Sequence, residues 1–81
     1  MTSRELNRKW RHYGIAVKYQ GYVQHGDGRV PAWTVYHTEY GFPTRCWSLE
    51  QADDEAYYLN KYVEGYEEDR RKRLESYKRK E

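Results

Sequence analysis

The sequence predicts an α+β fold: a short N-terminal helix, a three-stranded antiparallel meander and a long C-terminal helix. Three observations carry this. Apolar residues recur at helical steps at both ends of the chain. Between them, Tyr13–Gln24 and Val30–Tyr40 alternate in the two-residue period of strands. Two glycine-containing turns, His25–Arg29 and Gly41–Pro43, separate the strands closely enough for a meander.

Thr2-Ser3-Arg4-Glu5 reads as a capping box, a hydroxyl followed three residues later by a glutamate. Leu6, Trp10 and Tyr13 follow at helical spacing, and Gly14 supplies a stop, so a helix is expected over about Ser3–His12. Its other face carries Arg4, Arg8, Lys9 and Arg11, either a solvated basic face or a phosphate-binding one.

Pairing Gln24 with Val30 across the first turn sets Tyr19 opposite Val35, Val17 opposite His37 and Gly21 opposite Trp33. This directs Ile15, Val17, Tyr19, Trp33 and Val35 toward the helix, and Lys18, Gln20, Tyr22, Thr34 and Tyr36 away from it. A one-residue slip exchanges part of these sets. A bulge at Gly21 is the alternative that lets both strands keep their own apolar faces. Pro31 points to an edge position. Thr44–Trp47 forms a short third strand.

Ser48-Leu49-Glu50-Gln51 is a second capping box, with Trp47 placed to staple onto Ala52. The helix that follows has a heptad-like stripe of Leu49, Ala52, Ala56, Leu59, Val63, Tyr66 and, more weakly, Tyr77. Gly65 is its weak point, where it bends or ends, at a cost of about 1 kcal/mol relative to alanine. Charge is split along it: residues 48–69 hold eight acids and one base, residues 70–81 seven bases and two acids. Residues 1–69 therefore form one small domain and residues 70–81 a basic extension of the helix. The acid-first order follows the helix dipole. It also suits an antiparallel homodimer through the C-terminal helix, with a seam of Leu59, Val63 and Tyr66.

Composition narrows the function classes. The chain has 81 residues and a net charge of +2, with ten tyrosines and three tryptophans against one phenylalanine. Its small core must therefore use amphipathic rings, which also favour interfaces. One cysteine, Cys46, excludes an intrachain disulfide and fits a reducing, cytoplasmic setting. His12, His25, His37 and Cys46 are spaced 13, 12 and 9 residues apart, without the close pairs that nucleate zinc sites, so no metal or cofactor is expected. Cys46 and His37 lie on neighbouring strands, but no anion-stabilising loop accompanies them, and no enzyme is expected.

Two binding classes remain. The first is a small non-enzymatic protein that occludes a protein partner, similar in style to phage-encoded inhibitors of host defence, anti-CRISPR proteins among them. Its contact residues are Asp53, Asp54, Tyr57, Tyr58, Tyr62, Glu67, Glu68 and Asp69, an acidic and aromatic surface suited to a basic nucleic-acid-binding protein. The alternative is a DNA- or RNA-binding module using Lys18, Tyr22 and Tyr36 with Arg70, Arg71, Lys72 and Arg73; Lys78-Arg79-Lys80 adds a further basic cluster. A three-stranded sheet backed by a C-terminal helix resembles in topology the N-terminal domains of phage-type integrases, which implies DNA reading by the sheet. The element order also resembles double-stranded-RNA-binding domains, but Asp53-Asp54-Glu55 stands where that family places lysines.

Overall fold

The computed structural model describes the backbone of residues 1–79 and the side chains of residues 1–76. The last part of the basic extension, with Tyr77 and the Lys78-Arg79-Lys80 cluster, lies outside the residues whose side chains are described. The architecture is α+β: α1 (Ser3–Trp10), a 3₁₀ turn (Arg11–Tyr13), β1 (Ile15–His25), β2 (Gly28–His37), β3 (Gly41–Cys46) and α2 (Leu49–Arg79). The strands form one antiparallel sheet in the order β1-β2-β3.

Thr2 caps α1, its hydroxyl accepting from the Glu5 N–H at 3.2 Å. Gly14 ends the 3₁₀ turn with φ 75°. A side chain there would be strained by that φ, and its Cβ would meet His37 Nε2 at 2.9 Å and force the ring to move. The β1–β2 turn narrows to Gly26-Asp27, with the positive φ of 62° that a type II′ turn asks of its first central residue.

The register differs from the expected one, and a bulge is the reason. Tyr19 pairs with Trp33, but Gly21 pairs with Ala32, leaving Gln20 without a partner. Between the bulge and the turn the pairing is one residue from expectation, with Gln24 opposite Arg29. Beyond the bulge it is two residues away, with Val17 opposite Val35 and Ile15 opposite His37. A two-residue shift preserves faces, so Ile15, Val17 and Val35 still point into the core. A one-residue shift reverses them. Tyr22, opposite Pro31, falls on the Trp33 side of the sheet and not beside Lys18.

Pro31 lies in the central strand, not at an edge. It is tolerated because pairing with β3 reaches only from His37 to Trp33, so no neighbour on that side seeks its missing N–H.

Both helices cover one face of the sheet. The core comprises Leu6 and Trp10 of α1, Ile15, Val17, Val35 and Cys46 of the sheet, and Ala52, Ala56, Leu59 and Val63 of α2. At the β2–β3 end, Tyr40 and Phe42 extend this packing to α2. The Phe42 ring stands edge-on to Tyr62 (5.2 Å), and Tyr40 edge-on to Tyr66 (5.2 Å).

α2 runs unbroken through Gly65 to Arg79. The expected dimer seam is corrected in part: Leu59 and Val63 are 8% and 4% exposed, used up by the chain's own sheet. The second capping box forms, with the Gln51 N–H donating to Ser48 Oγ (3.0 Å) and Gln51 Oε1 accepting from the Trp47 N–H (2.9 Å). The Trp47 ring lies against His25 at a centroid distance of 4.8 Å, tilted by 40°.

Candidate nucleic-acid interface

The strand alternation that buries one face of the sheet leaves the other without a covering helix. Lys18 pairs with Thr34, and Thr34 with Arg45, so these three form one row across all three strands. Their neighbours along each strand, Val17, Val35 and Cys46, are buried in the core. The row therefore points away from the helices. Ala16 and Tyr36 form the next row on the same side. Trp47 and His25 lie at the turn end of this face. No acidic residue occupies these open-face positions of the strands.

α1 borders this face along β1. Asn7 fixes it there: its Nδ2 donates to the Val17 carbonyl and its Oδ1 accepts from the Val17 N–H, both at 2.7 Å. A side-chain amide thus stands where another strand's backbone would pair. Asn7 Nδ2 also donates to the Ser3 carbonyl (3.0 Å), and the Trp33 indole N–H donates to Ser3 Oγ (2.9 Å). On the opposite side of α1, Lys9 Nζ (3.0 Å) and the Trp10 indole N–H (2.7 Å) converge on Asp53 of α2. Partial desolvation pushes the Asp53 carboxyl up, but these two donors outweigh it and hold its pKa below the usual range.

The expected contact residues therefore divide. Asp53 serves as a brace between the helices. Glu67 accepts from the Tyr40 hydroxyl (3.3 Å), and Glu68 pairs with Lys72 (3.4 Å). Burial, together with the Glu39 and Glu67 carboxylates, raises the Tyr40 pKa. Tyr62 packs edge-on to Phe42, while Tyr57 and Tyr58 are exposed and lie together (5.7 Å). Asp54 and Asp69 are also exposed. Of the nucleic-acid set, Lys18 and Tyr36 share the open face, whereas Tyr22 faces the other way. Arg70, Arg71, Lys72 and Arg73 are on α2, on the helix side of the sheet.

Arg45 is the residue that the sequence reading passes over. Its signal was present, since alternation about an inward Cys46 sends Arg45 outward.

Cys46 is fully buried, and desolvation, with the nearby Glu55 charge, pushes its thiol up to about 11. Such a thiol stays protonated near neutrality and is a poor nucleophile. His37 pairs with Gly41, at the far end of β2 from the Trp33–Cys46 pair, so the two do not form a dyad. His37 Nδ1 instead accepts from the Glu39 (3.1 Å) and Tyr40 (3.2 Å) N–H groups and shapes the β2–β3 turn. Among the described residues, no three His, Cys, Asp or Glu side chains gather into a metal-binding group. Nor is any helix among them long and apolar enough to cross a membrane. Compared with family models, curated proteins and solved structures, the chain matches none.

Proposed function

We propose that the protein is a non-enzymatic module that lays the open face of its sheet against double-stranded DNA. The observation that carries this reading is the row Lys18–Thr34–Arg45, with a cation on each edge strand and a hydroxyl between them. Lys18 and Arg45 are two strand spacings apart, about 10 Å. The major groove is about 12 Å wide. In a groove-seated pose the two cations meet the phosphate rows on either side, and Thr34 faces the base edges. Tyr36 and Trp47 add ring surface beside the row. The absence of acids among the open-face strand positions removes the main electrostatic penalty.

The test is fluorescence anisotropy on a labelled duplex at low and moderate salt. Binding should weaken steeply as salt rises. Replacing Lys18 and Arg45 together by Gln should reduce affinity roughly tenfold or more, since hydrogen bonds to charged groups contribute about 1.5–3 kcal/mol each. Thermal stability should stay unchanged, because both side chains are exposed. No binding to any duplex at low salt would sink the proposal.

A second reading has its own observation. On α2, Tyr57 and Tyr58 are 50% and 65% exposed and meet edge-on, with Asp54 one turn before them and Lys61 over the Tyr57 ring. This aromatic patch, with Asp54 and Glu55 beside it, reaches from the outer side of α2 to the groove along β3 and suits a protein partner that the module would occlude. Recovery of a stoichiometric protein from a bacterial lysate by the native chain, and its loss with Tyr57→Ala/Tyr58→Ala, would favour this surface over the sheet.

A further inference from the structure

We infer that the cleft between α1 and the start of β1 is a phosphate-binding site, which holds the DNA backbone beside the sheet. Arg4, Arg8 and Arg11 line it, with Asn7, Gly14, Ile15, Ala16 and Thr38. Its volume is about 550 Å³, within the range of sites that take a phosphate with the sugar attached to it. The identification of the anion as a DNA phosphodiester rests on the sheet-face reading above; the anion chemistry of the cleft does not.

Three features point to an anion. First, no carboxylate lines the cleft, and among the described residues none of the three guanidinium groups has a carboxylate within ion-pair distance. Arginines spaced four and three residues apart on one helical face repel one another, at a few tenths of a kcal/mol per pair. A bound oxyanion removes that repulsion, and each planar fork of N–H donors matches two phosphate oxygens.

Second, the lining is small where a ligand must approach. Gly14 and Ala16 contribute little side-chain bulk, and a larger residue at Gly14 would be strained and press on the His37 ring. Thr38 is not a further ligand donor: its hydroxyl already donates to the Gly14 carbonyl at 3.0 Å, beside its own N–H at 2.8 Å.

Third, the helix that carries the cations is anchored. Asn7 ties α1 to the β1 backbone, and the Lys9 and Trp10 bonds to Asp53 tie it to α2. The backbone that carries the arginines is therefore held in place before any ligand arrives.

Position links the cleft to the sheet face. Ala16 lines the cleft and pairs with Tyr36, one row from Lys18–Thr34–Arg45 and on the same side. A backbone that runs over the row continues to the arginines.

The experiment is a backbone amide NMR titration of the full chain. The probes are inorganic phosphate, with chloride at matched ionic strength as control, and a short DNA duplex. Phosphate, and not chloride, should shift the amides from Arg4 to Ala16. The triple variant Arg4→Gln, Arg8→Gln, Arg11→Gln should lose those shifts while keeping the native spectrum elsewhere. It should bind duplex at least about tenfold more weakly at low salt. Its plot of log affinity against log salt should be shallower by about 0.9 for each phosphate the variant no longer neutralises.

If phosphate leaves these amides unmoved, or if the variant binds duplex with unchanged affinity and salt slope, the cleft inference is overturned. Phosphate shifts without any duplex binding would instead uphold the cleft as a site for a free phosphorylated ligand and reject the sheet-face reading. Duplex binding that needs Lys18 and Arg45 but not the three arginines would do the reverse.

Discussion

The two faces of the sheet are built from alternating residues of the same three strands, yet they have opposite surroundings. Val17, Val35 and Cys46 point into a core closed by α1 and α2. Lys18, Thr34 and Arg45, each one residue away, point outward as a polar row. A single alternation thus separates the packed face from the one proposed to meet DNA, so each can be altered with little effect on the other. The bulge at Gln20–Gly21 is what keeps the alternation in phase over most of β1. Without it, the pairing near the turn would continue along the strand and exchange the two sets.

The largest effect should come from the covered face. Ile15 is 2% exposed and packs in the core between the sheet and the helices, so Ile15→Ala should cost about 3 kcal/mol. In a chain of this size that lowers the melting temperature by on the order of 15 °C, readable by circular dichroism. A loss below about 1 kcal/mol would mean that the covered side is not a close-packed core.

Next is the bond that holds α1 to the sheet. Asn7→Ala removes both bonds to Val17 and leaves two strand-edge groups without their partner. About 2 kcal/mol should be lost, and amide exchange at Val17 should speed up.

The brace between the helices should be smaller and dependent on pH. The Asp53 carboxyl is lowered in the folded state, so its contribution is present above the unfolded carboxylate pKa, near 4. It is lost as pH falls through the lower folded value. Asp53→Asn should therefore destabilise by about 1 kcal/mol near neutrality, much less at strongly acid pH, and flatten that part of the acid-unfolding curve. Equal destabilisation at pH 7 and pH 2 would show that the carboxylate charge is not what braces α1.

The smallest effect belongs to the open face. Thr34→Ala should move stability by no more than about 0.5 kcal/mol while changing sequence preference in duplex binding. A large loss of stability here would erase the contrast between the faces.

Much of this was legible in the chain. The alternation of β1 and β2, the capping residues Thr2 and Ser48, and Gly21 as a bulge site are local signals, and local geometry carries them through. What was not legible depends on neighbours far away in sequence. The pairing of Tyr19 with Trp33, not Val35, follows from a two-residue turn tighter than the glycines alone specify, combined with the bulge. Pro31 reads as an edge residue because sequence does not say where β3 stops. Leu59 and Val63 read as a seam because a heptad stripe looks the same whether a second chain or the chain's own sheet covers it. For the candidate site, Lys18 and Tyr36 followed from strand alternation. Their union with Arg45 and the α1 arginines required knowing that β3 lies beside β2 and that α1 runs along β1.

The Asn7 amide has a consequence for how the protein behaves when concentrated. A meander has two free margins, and each is a template on which another chain can grow as a fibril. Here a side chain already occupies one margin at Val17. The other, β3, is six residues long and carries Pro43 and Arg45, a proline and a charge that discourage strand addition. Seeded growth on the native fold is thus hindered on both margins, and Asn7→Ala is the substitution expected to reopen the first.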